Sequence, residues 1–226
     1  MPLLMLDLDN TLVDRDAAFR DAVTEFLTVH GLPGDDLAWL MSVDASGYTP
    51  RPDVARAMTE RYGGAVTDAA VRRLLDRGAA DRVTLAQSTC DALTEAVAAD
   101  WKCVIVTNGR TAQQELKIRT AGLDALVHGW VISESAGHKK PAPEIFHAAA
   151  ATVGASLRSS WVVGDSAHAD IGGATGVDAR SAWVSNGRPW TEPTFRPTHI
   201  AADTTSAIRH VIGVTGITGV PNTPRL

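Results

Sequence analysis

The chain has 226 residues, 45% of them hydrophobic and 21% charged, with a formal net charge of −5. That size suits a single α/β domain with an insertion and a core that needs no disulfide. The acidic balance argues against nucleic acid or an anionic membrane as partner, and the two cysteines, Cys90 and Cys103, lack metal-ligand spacing. The first ten residues carry no basic leader, and their apolar run is too short for a signal or a membrane span, so a cytoplasmic protein is expected.

The first element is LLMLDLDNTLVD (3–14), an apolar run that reads as a buried strand ending on Asp7 and Asp9. Alternation along a strand puts residues i and i+2 on one face, so the two carboxylates repel. Either a cation lies between them or the strand ends there and both lie in water. From 15 to 85 the pattern is helical. Phe19, Ala22, Val23, Phe26, Leu27 and His30 follow the 3.6 period, and Val54, Met58 and Tyr62 repeat every four residues, as do Val66, Ala70 and Leu74. Gly and Pro at 31–34, 47–52 and 63–64 separate these helices.

A further helix is expected near 89–99, leading into the apolar strand 102–107. The runs 126–133 and 161–165 read, like 3–8 and 102–107, as strands buried on both faces; 181–185 is shorter. Between them, TAQQELKIRTAG and PEIFHAAAATVG are helical and stop at glycine. Alternating strands and helices predict a Rossmann-like parallel sheet with helices on both faces. The boundaries are 1–14 and 86–212 for the α/β core, 15–85 for an inserted helical segment, and 213–226 for a loose C-terminal tail. Ligands of such sheets bind at the carboxyl ends of the strands, where Asp7, Thr107 and Asp165 fall.

Four short motifs occupy those ends. In DLDNT, Asp7 can attack phosphorus and a second carboxylate, Asp9, can protonate the leaving oxygen and then deprotonate water; alone, the pair equally fits a solvated strand end. In VIVTNG, Thr107 and Asn108 can hold phosphate oxygens by a hydroxyl and main-chain N–H groups, although Thr-Asn-Gly is also an ordinary turn. In GHKKPAPEIF, Pro141 fixes the backbone after Lys140, which can place an ammonium against an oxyanion; Lys139 reads as solvated. In VVGDSAHAD, Asp165 and Asp170 can join Asp7 and the carbonyl of Asp9 as hard oxygen ligands for Mg²⁺, or either can cap a helix.

Taken together in this order, the motifs resemble those of the haloacid dehalogenase superfamily of hydrolases, over roughly 1–14 and 86–203, and the insertion resembles that superfamily's smaller helical cap, which closes over the site and selects substrate. The resemblance implies Asp7 as nucleophile and Asp9 as general acid and base. It implies that Thr107 and Asn108 bind phosphate and that Lys140 orients the nucleophile. Asp7, Asp9, Asp165 and Asp170 are implied as the Mg²⁺ site. Dehalogenase members lack a carboxylate at the Asp9 position, so Asp9 favours a Mg²⁺-dependent phosphatase of a small phosphorylated metabolite, such as phosphoglycolate, a sugar phosphate or a nucleoside monophosphate. A sugar phosphomutase keeps both aspartates, and a non-catalytic phosphate-binding protein shares the fold; intact acid, base, lysine and metal positions count against the latter.

Other features read as structural. The insertion carries Arg51, Arg56, Arg61, Arg72, Arg73, Arg77 and Arg82, but interleaved acids suit a solvated helix face. His138 and His168 are expected in loops. GGATG (172–176) is read as close packing and a helix stop, and Trp101, Trp130, Trp161 and Trp183 as strand packing. Cys103 is read as a small core residue.

Overall fold

The computed structural model describes residues 1–216. They divide into two compact units: Met1–Val13, Leu85–Thr111 and the residues from Gly122 onward form the first, and Asp14–Thr84 with Ala112–Ala121 the second. The strands are β1 (Leu3–Leu6), β2 (Lys102–Thr107), β3 (Gly129–Ile132), β4 (Trp161–Gly164), β5 (Arg180–Val184) and β6 (His199–Ala201). The helices, in chain order, are α1 (Arg15–Val29), α2 (Asp36–Asp44), α3 (Arg51–Tyr62), α4 (Asp68–Arg77), α5 (Gln87–Ala98), α6 (Thr111–Thr120), α7 (Ser133–Ala136), α8 (Pro143–Thr152), α9 (Gly173–Gly176) and α10 (Thr204–Gly216).

All six strands form one parallel sheet in the order β3-β2-β1-β4-β5-β6. β1 is therefore interior, with Leu4 opposite both Cys103 and Trp161. A strand covered on both faces must be apolar at every position, which is why LLML does not alternate. On one face Leu3, Met5, Val104, Val106 and Val162 pack against Ile145, Phe146 and Ala149 of α8. α5 and α10 pack on each other, α5 also on β2 and α10 on β4, β5 and β6. Burial pushes the Cys103 thiol up to about 12, as befits an inert core residue.

Some expectations need correction. The run 126–133 is a strand only over Gly129–Ile132 and is not buried on both faces: β3 is the sheet edge, and Gly129, Trp130 and Val131 are half-buried. β6 has no counterpart among the expected strands, because an edge strand of three residues with Ile200 51% exposed leaves no apolar run to read. Residues 213–216 complete α10, whereas the rest of the expected tail lies outside the described residues.

In the second unit, α1 starts where the Asp14 carboxylate accepts from the Ala17 N–H at 2.8 Å. Its periodic stripe is the buried one: Phe19, Ala22, Val23, Phe26 and Leu27. α3 buries Val54 and Met58. Of the repeat 66/70/74, Val66 is buried ahead of α4, but the positions on the helix itself are one off. The helix begins only at Asp68, capped by Thr67, so Val71 and Leu75 are its buried pair while Ala70 and Leu74 are half-buried. Most of α6 belongs to this unit. Its Gln113 donates to the carbonyls of Leu75 and Asp76 at the end of α4, at 3.3 and 3.0 Å. Gly78 follows with φ +55°, and a Cβ there would come within 2.6 Å of the Gln113 amide nitrogen.

Asp44, fully buried, accepts from Arg15 and from Arg51, the latter at 2.7 Å. Arg15 lies over the Phe19 ring. Arg51 is thus part of a buried ion cluster rather than of a solvated face.

Candidate active site

The ends of β1, β2 and β4 are neighbours in the sheet, and the motif residues follow from them. Asp7 continues β1, its N–H donating to the carbonyl of Val163 at 2.9 Å. The chain then turns tightly: the N–H groups of Asn10 and Val13 donate to the carbonyls of Val13 and Leu8, and Asn10 adopts φ +58°. This turn returns Thr11 to the strand end. Its hydroxyl donates to Asp7 Oδ2 at 3.0 Å and accepts from the Asp165 N–H at 3.1 Å. One hydroxyl therefore ties the β1 carboxylate to the end of β4. Asp9, half-buried in the turn, is close enough for its charge to raise the Asp7 pKa.

Lys140 lies in the loop between α7 and α8. Lys139 is exposed, whereas Lys140 is only 4% exposed. Its three ammonium donors meet Asp7 Oδ1 at 2.6 Å, Asp170 Oδ1 at 2.8 Å and the Val106 carbonyl at 2.6 Å. Burial opposes its charge, but Asp170 and Asp7 outweigh burial and hold the amine above its ordinary range. Thr107 is the buried last residue of β2. The Asn108 carboxamide is bound to the main chain of Lys140 through both its nitrogen and its oxygen.

Asp165 follows β4. Arg188 donates to its carboxylate and to its carbonyl, each at 3.0 Å, and the Trp183 indole donates to that carbonyl at 2.8 Å. Asp170, in a π-helical turn before α9, accepts from the Ser166 N–H at 3.0 Å as well as from Lys140. Its carboxyl comes so close to Gly164 that a Cβ there would lie 2.2 Å away. Gly173 likewise leaves room for the Phe146 ring, in keeping with the packing role read for GGATG.

Asp7, Asp165 and Asp170 are all buried, each with an oxygen within 4.8 Å of the others. Three carboxylates face one lysine and one arginine, the latter with its side chain 50% exposed. Burial pushes the Asp7 carboxyl up against the pull of Lys140, with Asp170 adding to the rise. Burial, then Asp7 and Asp170, push Asp165 up further. A divalent cation relieves both effects, and a purely carboxylate donor set suits a hard ion such as Mg²⁺. The Asp9 carboxylate is not part of this three-carboxylate group. His138 is exposed in a loop, whereas His168, also exposed, lies on the π-helical turn Ala167–Gly172 rather than in a loop.

Two participants have no role that the sequence pattern reveals. Thr11 closes DLDNT, and only the turn brings its hydroxyl into hydrogen bonds with both Asp7 and Asp165. Arg188 carries no motif signal, since its link to Asp165 spans 23 residues.

A family model for haloacid dehalogenase-like hydrolase matches residues 1–178. The chain belongs to this family. The sheet with its helices has the family's α/β fold. Glyceraldehyde 3-phosphate phosphatase of Pyrococcus abyssi is 28% identical over 199 residues, 82% of each chain. Among solved structures, the HAD-hydrolase YfnB of Bacillus subtilis, bound to magnesium, matches with a TM-score of 0.72 at 23% identity, covering 97% of this chain and 99% of its own. A protein described as β-phosphoglucomutase from Thermotoga maritima matches with a TM-score of 0.73 at 13% identity, covering 96% and 99%. At such identities the structural likeness is one of fold. Among the described residues, no helix is long and apolar enough to cross a membrane.

Proposed function

We propose that this family member is a Mg²⁺-dependent phosphatase of a small phosphorylated metabolite, acting through an aspartyl-phosphate on Asp7. The observation that carries this reading is the fixed Asp7 carboxylate. It is buried at a strand end, with one oxygen on Lys140 and the other on Thr11, beside two further carboxylates. A carboxylate so held is pre-oriented for in-line attack. Asp7, Asp165, Asp170 and the carbonyl of Asp9 are the groups that would hold Mg²⁺. When bound, the ion offsets the crowded negative charge and polarises the phosphoryl oxygens.

In the first step an Asp7 oxygen bonds to phosphorus while the bond to the leaving oxygen breaks, and Asp9 gives that oxygen a proton. In the second, Asp9 takes a proton from water as the water oxygen bonds to phosphorus; the acyl phosphate breaks, freeing Asp7 and inorganic phosphate. Lys140 keeps the nucleophile in place and meets the charge that develops beside it. The Thr107 hydroxyl and the main chain at Asn108 take the phosphate oxygens.

The test is phosphate release from a panel of phosphorylated metabolites, with and without Mg²⁺. Glyceraldehyde 3-phosphate belongs in the panel because of the archaeal relative named for it, beside phosphoglycolate, sugar phosphates and nucleoside monophosphates. Asp7→Asn should lose turnover by about a thousandfold or more while keeping the fold. Substantial residual activity would sink the nucleophile assignment. A sugar-phosphate isomer formed without free phosphate would replace the phosphatase by a mutase.

A further inference from the structure

We infer that the side chain of Asn108 is a positioning residue for Lys140 and not a ligand of the phosphate. This rests on the phosphatase reading above and changes the part that Asn108 plays in it. The carboxamide reads the main chain of one residue in both senses: the Lys140 N–H donates to Oδ1 at 2.8 Å, and Nδ2 donates to the Lys140 carbonyl at 3.0 Å. Turning the amide over would set N–H against N–H and oxygen against oxygen, so the pair of bonds also assigns its orientation. Two residues earlier on the same strand end, the Val106 carbonyl accepts from Lys140 Nζ at 2.6 Å.

Residues 106 and 108 thus hold Lys140 at both ends, Asn108 by its backbone and Val106 by its ammonium. The need is physical. Lys140 is in a loop, and a lysine side chain has four rotatable bonds. Its ammonium must meet Asp7 and Asp170 at once. A flexible side chain reaches two fixed carboxylates reproducibly only if its root is fixed as well. The Lys140 carbonyl takes one of the two Nδ2 hydrogens, so a phosphate contact through that hydrogen would release the loop, and the inhibition constant of phosphate reads whether the second hydrogen meets phosphate.

The experiment compares the full-length wild type with Asn108→Ala and Asn108→Ser in the presence of Mg²⁺. It uses a generic aryl phosphate as substrate and inorganic phosphate as competitive inhibitor. Serine keeps a polar group but is too short to span both bonds, which covers the case in which the alanine variant does not fold. The expected result is a kcat lower by about tenfold to a hundredfold, with KM and the inhibition constant of phosphate within about twofold of wild type. An inhibition constant that weakens as much as kcat/KM falls would make the carboxamide a phosphate ligand and overturn the inference.

A second readout needs no turnover. The Lys140 amide hydrogen should exchange about tenfold faster or more in either variant than in wild type, and unchanged exchange would overturn the clamp. A wild type that releases no phosphate, with amide exchange that still responds to Asn108, counts against the phosphatase reading and not against the clamp.

Discussion

At the scale of single residues, the site depends on close approaches between side chains far apart in the chain. Gly164 shows this most sharply. Its backbone is of an ordinary kind, yet a Cβ would lie 2.2 Å from the Asp170 carboxyl, so Gly164→Ala has to displace Asp170 from Lys140. We expect a stability loss of about 1–3 kcal/mol in urea denaturation and a Mg²⁺ affinity lower by about tenfold or more in calorimetry. Unaltered Mg²⁺ binding would remove Asp170 from the ion's surroundings. The sequence GDSAHAD makes Asp165 and Asp170 visible, because acids after a buried strand are chemically conspicuous. The glycine before them is not, since what it must make room for is six residues away on a turn whose path the spacing leaves open. Lys139 and Lys140 make the same point. They are identical in type and adjacent, and only the loop's path buries one and leaves the other in water.

At the scale of elements, helices of the second unit are joined by charge as well as by apolar stripes. Asp44 at the end of α2 is fully buried between Arg15 of α1 and Arg51 of α3. Removing the shared anion leaves two guanidinium groups without it, so Asp44→Ala should cost about 3–5 kcal/mol, read as a shift in the denaturation midpoint. A cost below ~1 kcal/mol would mean that the arginines find solvent or other partners.

In the first unit, β6 meets α10 through His199 and His210, whose rings stack at 3.5 Å, only 5° from parallel. Burial, and then His210, hold His199 below the usual imidazole range. The unfolded chain therefore binds the proton more readily. This part of the stability is complete above the unfolded pKa, about 6.5, and is lost as pH falls through the lower folded value. His210→Phe keeps an aromatic face without the like charge. It should reduce the drop in Tm between about pH 7 and 5 relative to wild type, and an identical drop would assign the acid sensitivity elsewhere. Neither association was legible in the sequence. The α1 stripe of Phe19, Val23 and Phe26 follows from periodicity, but a buried Arg15 on the same helix runs against it and needs Asp44, 29 residues on, to make sense.

At the scale of the whole molecule, a cation that binds only the folded protein must stabilise it. At about 100 times its Kd, Mg²⁺ should add about 2.7 kcal/mol and raise Tm accordingly. Asp165→Asn should abolish that shift, and a chelator should stop turnover; a shift that survives the substitution would place the ion elsewhere. The sequence by itself determined the layered parallel sheet and the helical insertion, and it made Asp7, Asp9 and Asp165 conspicuous as acids at strand ends. Those depend on local patterns: apolar runs for strands covered on both faces, a 3.6 period for helices, and charged residues where such runs stop. Tertiary structure alone decided which strands are edges, that α6 belongs largely with the second unit, and that Thr11, Gly164 and Arg188 shape the site. It also decided that the Asn108 amide bonds the main chain of Lys140. Each of these depends on the packing of segments distant in sequence, and a one-dimensional pattern carries no term for what a residue meets across 30 or 150 positions.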